Sequence, residues 1–161
     1  MSAAFSVKTF SDVSRVTELH RLVHDAFANL PIDPPSGVLK ETVADFRDRL
    51  RRETALVAEA HDAPDTGALV GSVFCIEQEG ALYVGRLAVR SDYRRRGVAS
   101  ALLDAAKAEA LRRGIGRLTL STRIALSDNV ALFSRYGFAI VAATCHPGFS
   151  EPTSYDMELR F

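Results

Sequence analysis

The stretch Leu87-Ala88-Val89-Arg90-Ser91-Asp92-Tyr93-Arg94-Arg95-Arg96-Gly97-Val98-Ala99-Ser100 decides how this chain is read. A run with strand character ends, a short turn carries Arg94, Arg95 and Arg96, and a glycine opens a long Ala- and Leu-rich segment. Residues 99–113 have the composition of a strong helix, ended by Gly114. Strand, basic turn and helix in that order make an anion site. The first helical turn, Gly97-Val98-Ala99-Ser100 here, leaves backbone N–H groups unpaired, and the helix dipole adds partial positive charge. Gly97 and Ala99 keep side chains away so that a pyrophosphate can approach the backbone, and the arginines add charge and forked donors. Three arginines in a turn can also be a solvated surface patch; their placement between strand and helix favours the site. The stretch lacks the glycine density of a dinucleotide fold and the Lys-Ser/Thr ending of a P-loop, so NAD and ATP fit poorly.

Working outward, Val13, Val16, Leu19, Val23, Ala26, Phe27 and Leu30 recur at steps of three and four. That is an amphipathic helix, with Ser11 or Asp12 placed to cap it. Residues 29–37 hold three prolines and a glycine and form a connection. A second helix is expected over 38–52, with Val43, Phe46 and Leu50 inward. Strands follow at 54–60, 68–76 and 81–89, joined by turns at 64–67 and at Glu79-Gly80. Residues 117–123 alternate Leu118 and Leu120 with Thr119 and Ser121, 128–136 make a short helix stopped by Gly137, and 138–145 and 154–161 are closing strands. With a first strand at 5–10, the pattern predicts a mixed α/β sheet of six to seven strands flanked by about four helices.

The 161 residues predict one domain over 1–161, able to bury roughly 70% of the surface its unfolded form exposes. Twenty basic residues balance twenty acidic ones, which argues against a nucleic-acid partner, since that needs a basic field. The 47% hydrophobic content excludes disorder, yet no apolar run approaches the ~20 residues that span a bilayer. The start shows no secretory signal, and Cys75 and Cys145 make neither a disulfide framework nor a CxxC site. The expectation is a cytoplasmic globular protein without a membrane partner. His20 and His24 are spaced as metal pairs can be, but no HExxH glutamate or nearby third ligand accompanies them, so no metal is expected.

The segment Arg94-x-x-Gly97-x-Ala99 resembles the coenzyme-A signature of the GNAT superfamily of N-acetyltransferases. A second motif, Asn129-Val130-Ala131-Leu132-Phe133-Ser134-Arg135-Tyr136-Gly137-Phe138, is similar to that family's N-x-x-L-Y-x-x-x-G-F segment. The resemblance extends to the strand order and covers nearly the whole chain. It implies acetyl-CoA as co-substrate and an amine on a small molecule or peptide as acceptor, acetylated by direct transfer in a ternary complex. It implies that Leu87, Ala88 and Val89 meet the pantetheine arm where a bulge splays two strands, with a backbone N–H near Val89 facing the oxyanion. Asn129 and Phe133 would contact the cofactor arm, and Asn129 also stands where it could cap a helix. Dimerisation through the last strands is common in the family, which makes a homodimer a further expectation.

The chemistry of acetyl transfer asks for amine deprotonation, donors for the thioester oxygen, and a stable leaving group. Phe133 stands at the position the family usually gives to a general-acid tyrosine. Tyr136 is three residues on, roughly on the same helix face, as a substitute acid or as a half-buried structural tyrosine. A position that some members give to a base is Tyr83; even spacing would put Tyr83, Gly85, Leu87 and Val89 on one strand face, lining the acceptor pocket. Glu77, Glu79 and His146 are alternatives. Phe133 also keeps open a second reading, a non-catalytic acetyl-CoA-binding module.

Overall fold

The computed structural model describes residues 4–161. Its sheet has seven strands: β1 (Phe5–Thr9), β2 (Thr54–Ala60), β3 (Leu69–Gln78), β4 (Ala81–Val89), β5 (Arg117–Arg123), β6 (Ala139–Thr144) and β7 (Ser154–Arg160). Among the described residues there are four α-helices, α1 (Val16–Phe27), α2 (Val43–Arg52), α3 (Val98–Arg112) and α4 (Ser127–Tyr136). The order across the sheet is β1-β2-β3-β4-β5-β7-β6, antiparallel throughout except for the β4–β5 pair. The mixed α/β architecture expected from the sequence is therefore the one found. The Glu79-Gly80 hairpin is also present, both residues with positive φ (53° and 77°), as a tight turn between twisted strands requires.

Period-two alternation divides the core. On one face Leu56, Ala58, Val73, Leu82, Val84, Leu118 and Leu120 pack under Leu102, Leu103 and Ala106 of α3 and Phe133 of α4. On the other, Ala55, Val57 and Phe74 meet Val16, Leu19 and Val23 of α1 and Phe46 of α2. Cys75 is a buried core residue, as expected, and burial pushes its thiol up to about 12, which removes it as a nucleophile. Strand β6 forms one edge of the sheet and every residue of it is exposed, Ile140 and Val141 included.

Two helices begin differently from their sequence patterns. The first starts as a 3₁₀ turn at Val13–Arg15, with the Asp12 carboxylate accepting from the Ser14 N–H, and Leu30 lies beyond its end. The second is not continuous over 38–52: a 3₁₀ turn at Gly37–Lys40 precedes an extended Glu41, and α2 starts afresh from Thr42. Thr42 and Asp45 form a reciprocal capping box there, satisfying two orphan N–H groups. The break lets the Glu41 side chain turn inward toward the sheet, where two arginines meet it.

The feature that shapes the site is a bulge in β4. Ser72 pairs with Ala88 while Phe74 pairs with Gly85, so β4 carries one residue more than β3 over this interval. Arg86, inside the bulge, has φ 56°, in the left-handed region. The extra residue reverses the alternation. Leu82 and Val84 face α3 before the bulge, Leu87 and Val89 pack on that side after it, and Ala88 joins the α1 side. Even spacing therefore misplaces the strand faces: Tyr83 and Gly85 do not share a face with Leu87 and Val89. The Tyr83 ring lies against Gly85, 3.0 Å from where a Cβ would sit.

Beyond the bulge, α3 comes down onto β3 at Gly71. A Cβ there would lie 2.6 Å from Val98 Cγ1, 3.1 Å from Leu102 Cδ1 and 3.3 Å from the Ala88 carbonyl. Since valine has little rotamer freedom in a helix, Gly71→Ala is expected to lower the unfolding free energy by about 1–3 kcal/mol through overpacking. A shifted urea midpoint checks this; an unchanged midpoint would mean that α3 is not seated so closely.

Candidate active site

Strands β4 and β5 run parallel and pair only at Leu82–Leu118 and Tyr83–Thr119. Past those pairs they part, and the β5-facing backbone of 85–89 has no neighbouring strand. A cavity of about 380 Å³ passes through this opening. On the α3–α4 side it is lined by Leu87, Leu103, Leu120, Asn129 and Phe133. On the α1–α2 side its walls are Phe27, Ile32, Arg49, Glu53, Tyr83, Arg86, Ser121, Arg123 and His146. Asn129 faces the cavity, and no side chain caps α4, so its alternative role as a helix cap is not the one observed. Phe133 is buried edge-to-face on Phe138, with ring centroids 5.9 Å apart.

The basic turn lies at the α3 end of β4. Gly97 is the N-cap of α3 with φ 83°, and no side chain caps the helix. The first main-chain bond of α3 runs from the Ala101 N–H to the Gly97 carbonyl, leaving the N–H groups of Val98, Ala99 and Ser100 without helical partners. A Cβ on Gly97 would meet nothing within 4 Å, so its left-handed φ, not crowding, is what calls for glycine. Arg95 is left-handed too, with φ 62°. Tyr93 is buried between two guanidiniums, those of Arg90 and Arg96, 5.0 and 4.7 Å from its ring centroid. Arg94 instead lines a second hollow against α1, with Arg21 and Val89. Ala88 is buried in the α1-side core, so only its backbone is available to the opening.

On the α1–α2 side a charged network forms the floor. Arg86 donates from Nη2 to Glu41 Oε1 at 3.0 Å, Arg49 donates to the same oxygen, and Arg49 Nη1 donates to Glu53 Oε2 at 2.8 Å. Arg123 donates to the Pro34 carbonyl at 2.6 Å and so holds the proline-rich connection over the cavity. Tyr83 is largely enclosed. Burial raises its hydroxyl above the ordinary tyrosine value, while the Arg86 charge pulls the other way. His146 also lines the cavity, its backbone N–H and Nδ1 both bonded to Thr153 Oγ1.

The remaining candidates stand elsewhere. Glu77 pairs with Arg113 on the surface, and Glu79 is in the hairpin turn. His20 bonds through Nε2 to the Glu41 carbonyl and packs edge-on against Phe46, a structural role. Among the described residues no three His, Cys, Asp or Glu side chains are grouped to hold a metal ion. No helix there is long and apolar enough to cross a membrane. Nothing local in the sequence marked Arg49, Arg86 and Arg123 as cavity residues. The Thr42-x-x-Asp45 capping pattern, which breaks the helix at Glu41, was a signal only for the carboxylate that holds two of them.

This architecture has a known parentage. The chain matches the acetyltransferase (GNAT) family over residues 18–138 and belongs to that family. By class it is an N-acetyltransferase. Its fold is shared by Ard1 from Thermoplasma volcanium, at 20% identity and TM-score 0.79 over 98% of each chain. It is shared equally by the PaiA N-acetyltransferase of Thermoplasma acidophilum, solved with coenzyme A, at 15% identity and TM-score 0.79 over 100% of each chain. The ribosomal-protein-S18-alanine N-acetyltransferase of Escherichia coli is similar at 17% identity and TM-score 0.74, over 97% of this chain and 93% of that one. No curated protein matches the sequence.

Tyr136 does not line the cavity. Its hydroxyl donates to Asp104 Oδ1 of α3 at 2.6 Å, tying α4 to α3. Burial, and then the Asp104 acceptor and its negative charge, raise its hydroxyl well above the ordinary ~10. The folded state thus keeps this proton where the unfolded chain releases it. The associated stability is complete below pH ~10 and declines as pH rises beyond it. Tyr136→Phe is expected to cost about 1 kcal/mol at neutral pH and to lose less stability than the native protein above pH ~10, measured by denaturant unfolding across pH. Equal alkaline slopes would mean that this bond is not formed.

Proposed function

We propose that the chain moves an acetyl group from acetyl-CoA to the primary amine of a small-molecule or peptide acceptor, by direct attack within a ternary complex. The observation that carries this is the single cavity threading the opening between β4 and β5, lined by α3 and α4 on one side and by α1 and α2 on the other. Two substrates can enter from opposite faces and meet at the bulge. The coenzyme A bound to PaiA supports the co-substrate, and the alanine in the name of the Escherichia coli relative supports an amine acceptor.

Residues present fit the co-substrate by their chemistry. The free N–H groups at 98–100, with Arg95 and Arg96, suit a diphosphate. The unpaired backbone at 85–89 suits an amide-bearing arm laid alongside it like an added strand, and Asn129 can bond that arm. As the amine nitrogen bonds to the thioester carbon, a β4 backbone N–H near Val89 meets the developing oxyanion, and the carbon–sulfur bond then breaks. Phe133 has no proton to give. Thiols have pKa values near ~8.5, so the sulfur can depart as a thiolate without a side-chain acid. Tyr83 bounds the amine end, and the three cavity arginines, Arg49, Arg86 and Arg123, lower the fraction of bound amine that stays protonated.

Acetyl-CoA and CoA, but not ATP or NAD, are expected to raise the melting temperature. At a hundred times its dissociation constant a ligand adds about 2.7 kcal/mol of stability. The gain should vanish in the Arg96→Glu, Gly97→Glu double variant, and thiol release from acetyl-CoA should then be sought with a panel of amino acids, polyamines and peptides. No CoA effect on the folded native protein would overturn the reading.

A further inference from the structure

Charge on the α1–α2 side of the cavity is unbalanced in a way that bears on the acceptor. Besides His146, the titratable side chains that could carry charge along its lining are Arg49, Arg86, Arg123 and Glu53. Glu41 stands behind them, and one of its oxygens takes both Arg86 Nη2, at 3.0 Å, and Arg49. Arg49 also meets Glu53, so it is spent between two carboxylates. Three guanidiniums thus share two carboxylates. Asp33 is exposed and Asp156 accepts from Ser121, and neither lines the cavity.

Arg123 is the cation left over. Alternation along β5 sets it with Thr119 and Ser121, away from the buried Leu118 and Leu120, so it faces the α1–α2 side. Its donors go to neutral oxygens, the carbonyls of Pro34 at 2.6 Å and Pro35 at 3.4 Å. Among the described residues no carboxylate pairs with it. Burial disfavours its charge, and the Asp33 carboxylate only partly offsets that.

Arg86 belongs to the other strand that borders the opening. It stands in the β4 bulge, its side chain is partly accessible, and its Nη1 has no partner among the described residues. The acceptor end of the cavity is therefore lined by one guanidinium from β4 and one from β5, both with N–H groups to spare. A polyamine would meet repulsion here. A carboxylate would meet charge and the forked donors that match its geometry. We propose, building on the acetyl-transfer reading, that the acceptor amine carries a carboxylate, which Arg123 and Arg86 hold on the α1–α2 side of the cavity. Such an acceptor is an amino acid with its amine at the bulge, or a peptide whose first residue is acidic. Both arginines are substrate-binding residues, and no step of the transfer passes through them.

Thiol release from acetyl-CoA is measured on matched sets: an amino acid, its carboxamide and its decarboxylated amine. A second arm sets C-terminally amidated peptides that begin with Asp or Glu against those that begin with Asn or Gln, and so tells a free amino acid from an acidic side chain. The carboxylate member is expected to have a kcat/KM about tenfold or more above its neutral counterparts, because a charge-assisted pair is lost with it. Arg123→Gln keeps a donor for the Pro34 carbonyl but removes the charge. It is expected to raise KM for the carboxylate acceptor about tenfold, to retain the acetyl-CoA melting shift, and to erase the preference for acid over carboxamide. A merely structural role would slow both acceptors alike. A readout free of turnover is calorimetric binding of the acetylated products to the CoA-loaded native protein, with N-acetyl amino acids expected to bind about tenfold tighter than their carboxamides. Equal or better use of the neutral amines by the native protein, no difference in product binding, or an unchanged preference in Arg123→Gln would overturn the carboxylate site. Absence of any acetyl-CoA shift in the native protein would instead overturn the parent reading.

Discussion

Strand β4 cannot stay paired with β5 along its whole length, because one extra residue at Arg86 turns it aside, and that residue sits at φ 56°. For a side-chain-bearing residue the left-handed region costs roughly 1–2 kcal/mol. The compensation is visible on the α1–α2 side. The Arg86 guanidinium is held by Glu41, Glu41 is held by Arg49, and Arg49 is held by Glu53. Glu41 can reach that place only because the helix breaks before Thr42 and restarts on a capping box. A local interruption near the N-terminus and a bulge 45 residues later thus form one device. Without it β4 would continue along β5, the opening would close, and the cavity would be lost.

The same bulge sorts the chemistry onto two faces. By reversing the alternation it directs Leu87 and Val89 toward α3 while Tyr83 and Gly85 face the other way. Proposed cofactor contacts and proposed amine contacts then share one strand yet stand on opposite sides of the sheet. Charge follows the division. The α3 end offers helix N–H groups and the turn arginines, whereas the α1–α2 end offers arginines largely committed to carboxylates or carbonyls. The latter hold shape and local potential in place before an acceptor arrives.

Much of the fold was legible because it rests on local signals. The hairpin at Glu79-Gly80, the alternation of Leu118 and Leu120 with Thr119 and Ser121, and the Ala-rich α3 closed by Gly114 all follow from short-range rules. The basic turn was legible for the same reason, since strand, arginines and glycine are contiguous. The bulge was not, because Arg86 carries no turn residue's signature and its conformation is stabilised by a carboxylate far away in sequence. The Ser121–Asp156 pair beside the cavity was hidden likewise. Ser121 and Asp156 meet only because β7 inserts between β5 and β6, an order the chain sequence does not announce. The break at Glu41 was available in the capping pattern, but the apolar period running across it masks the interruption.

What occupies the opening between β4 and β5 is tested most directly by a crystal structure of the protein with coenzyme A. The expected result has the diphosphate on the N–H groups of 98–100, the arm alongside 85–89, and the sulfur at the bulge with Tyr83 across the opening. Coenzyme A bound elsewhere, or β4 and β5 paired continuously to Val89 with no opening between them, would contradict it.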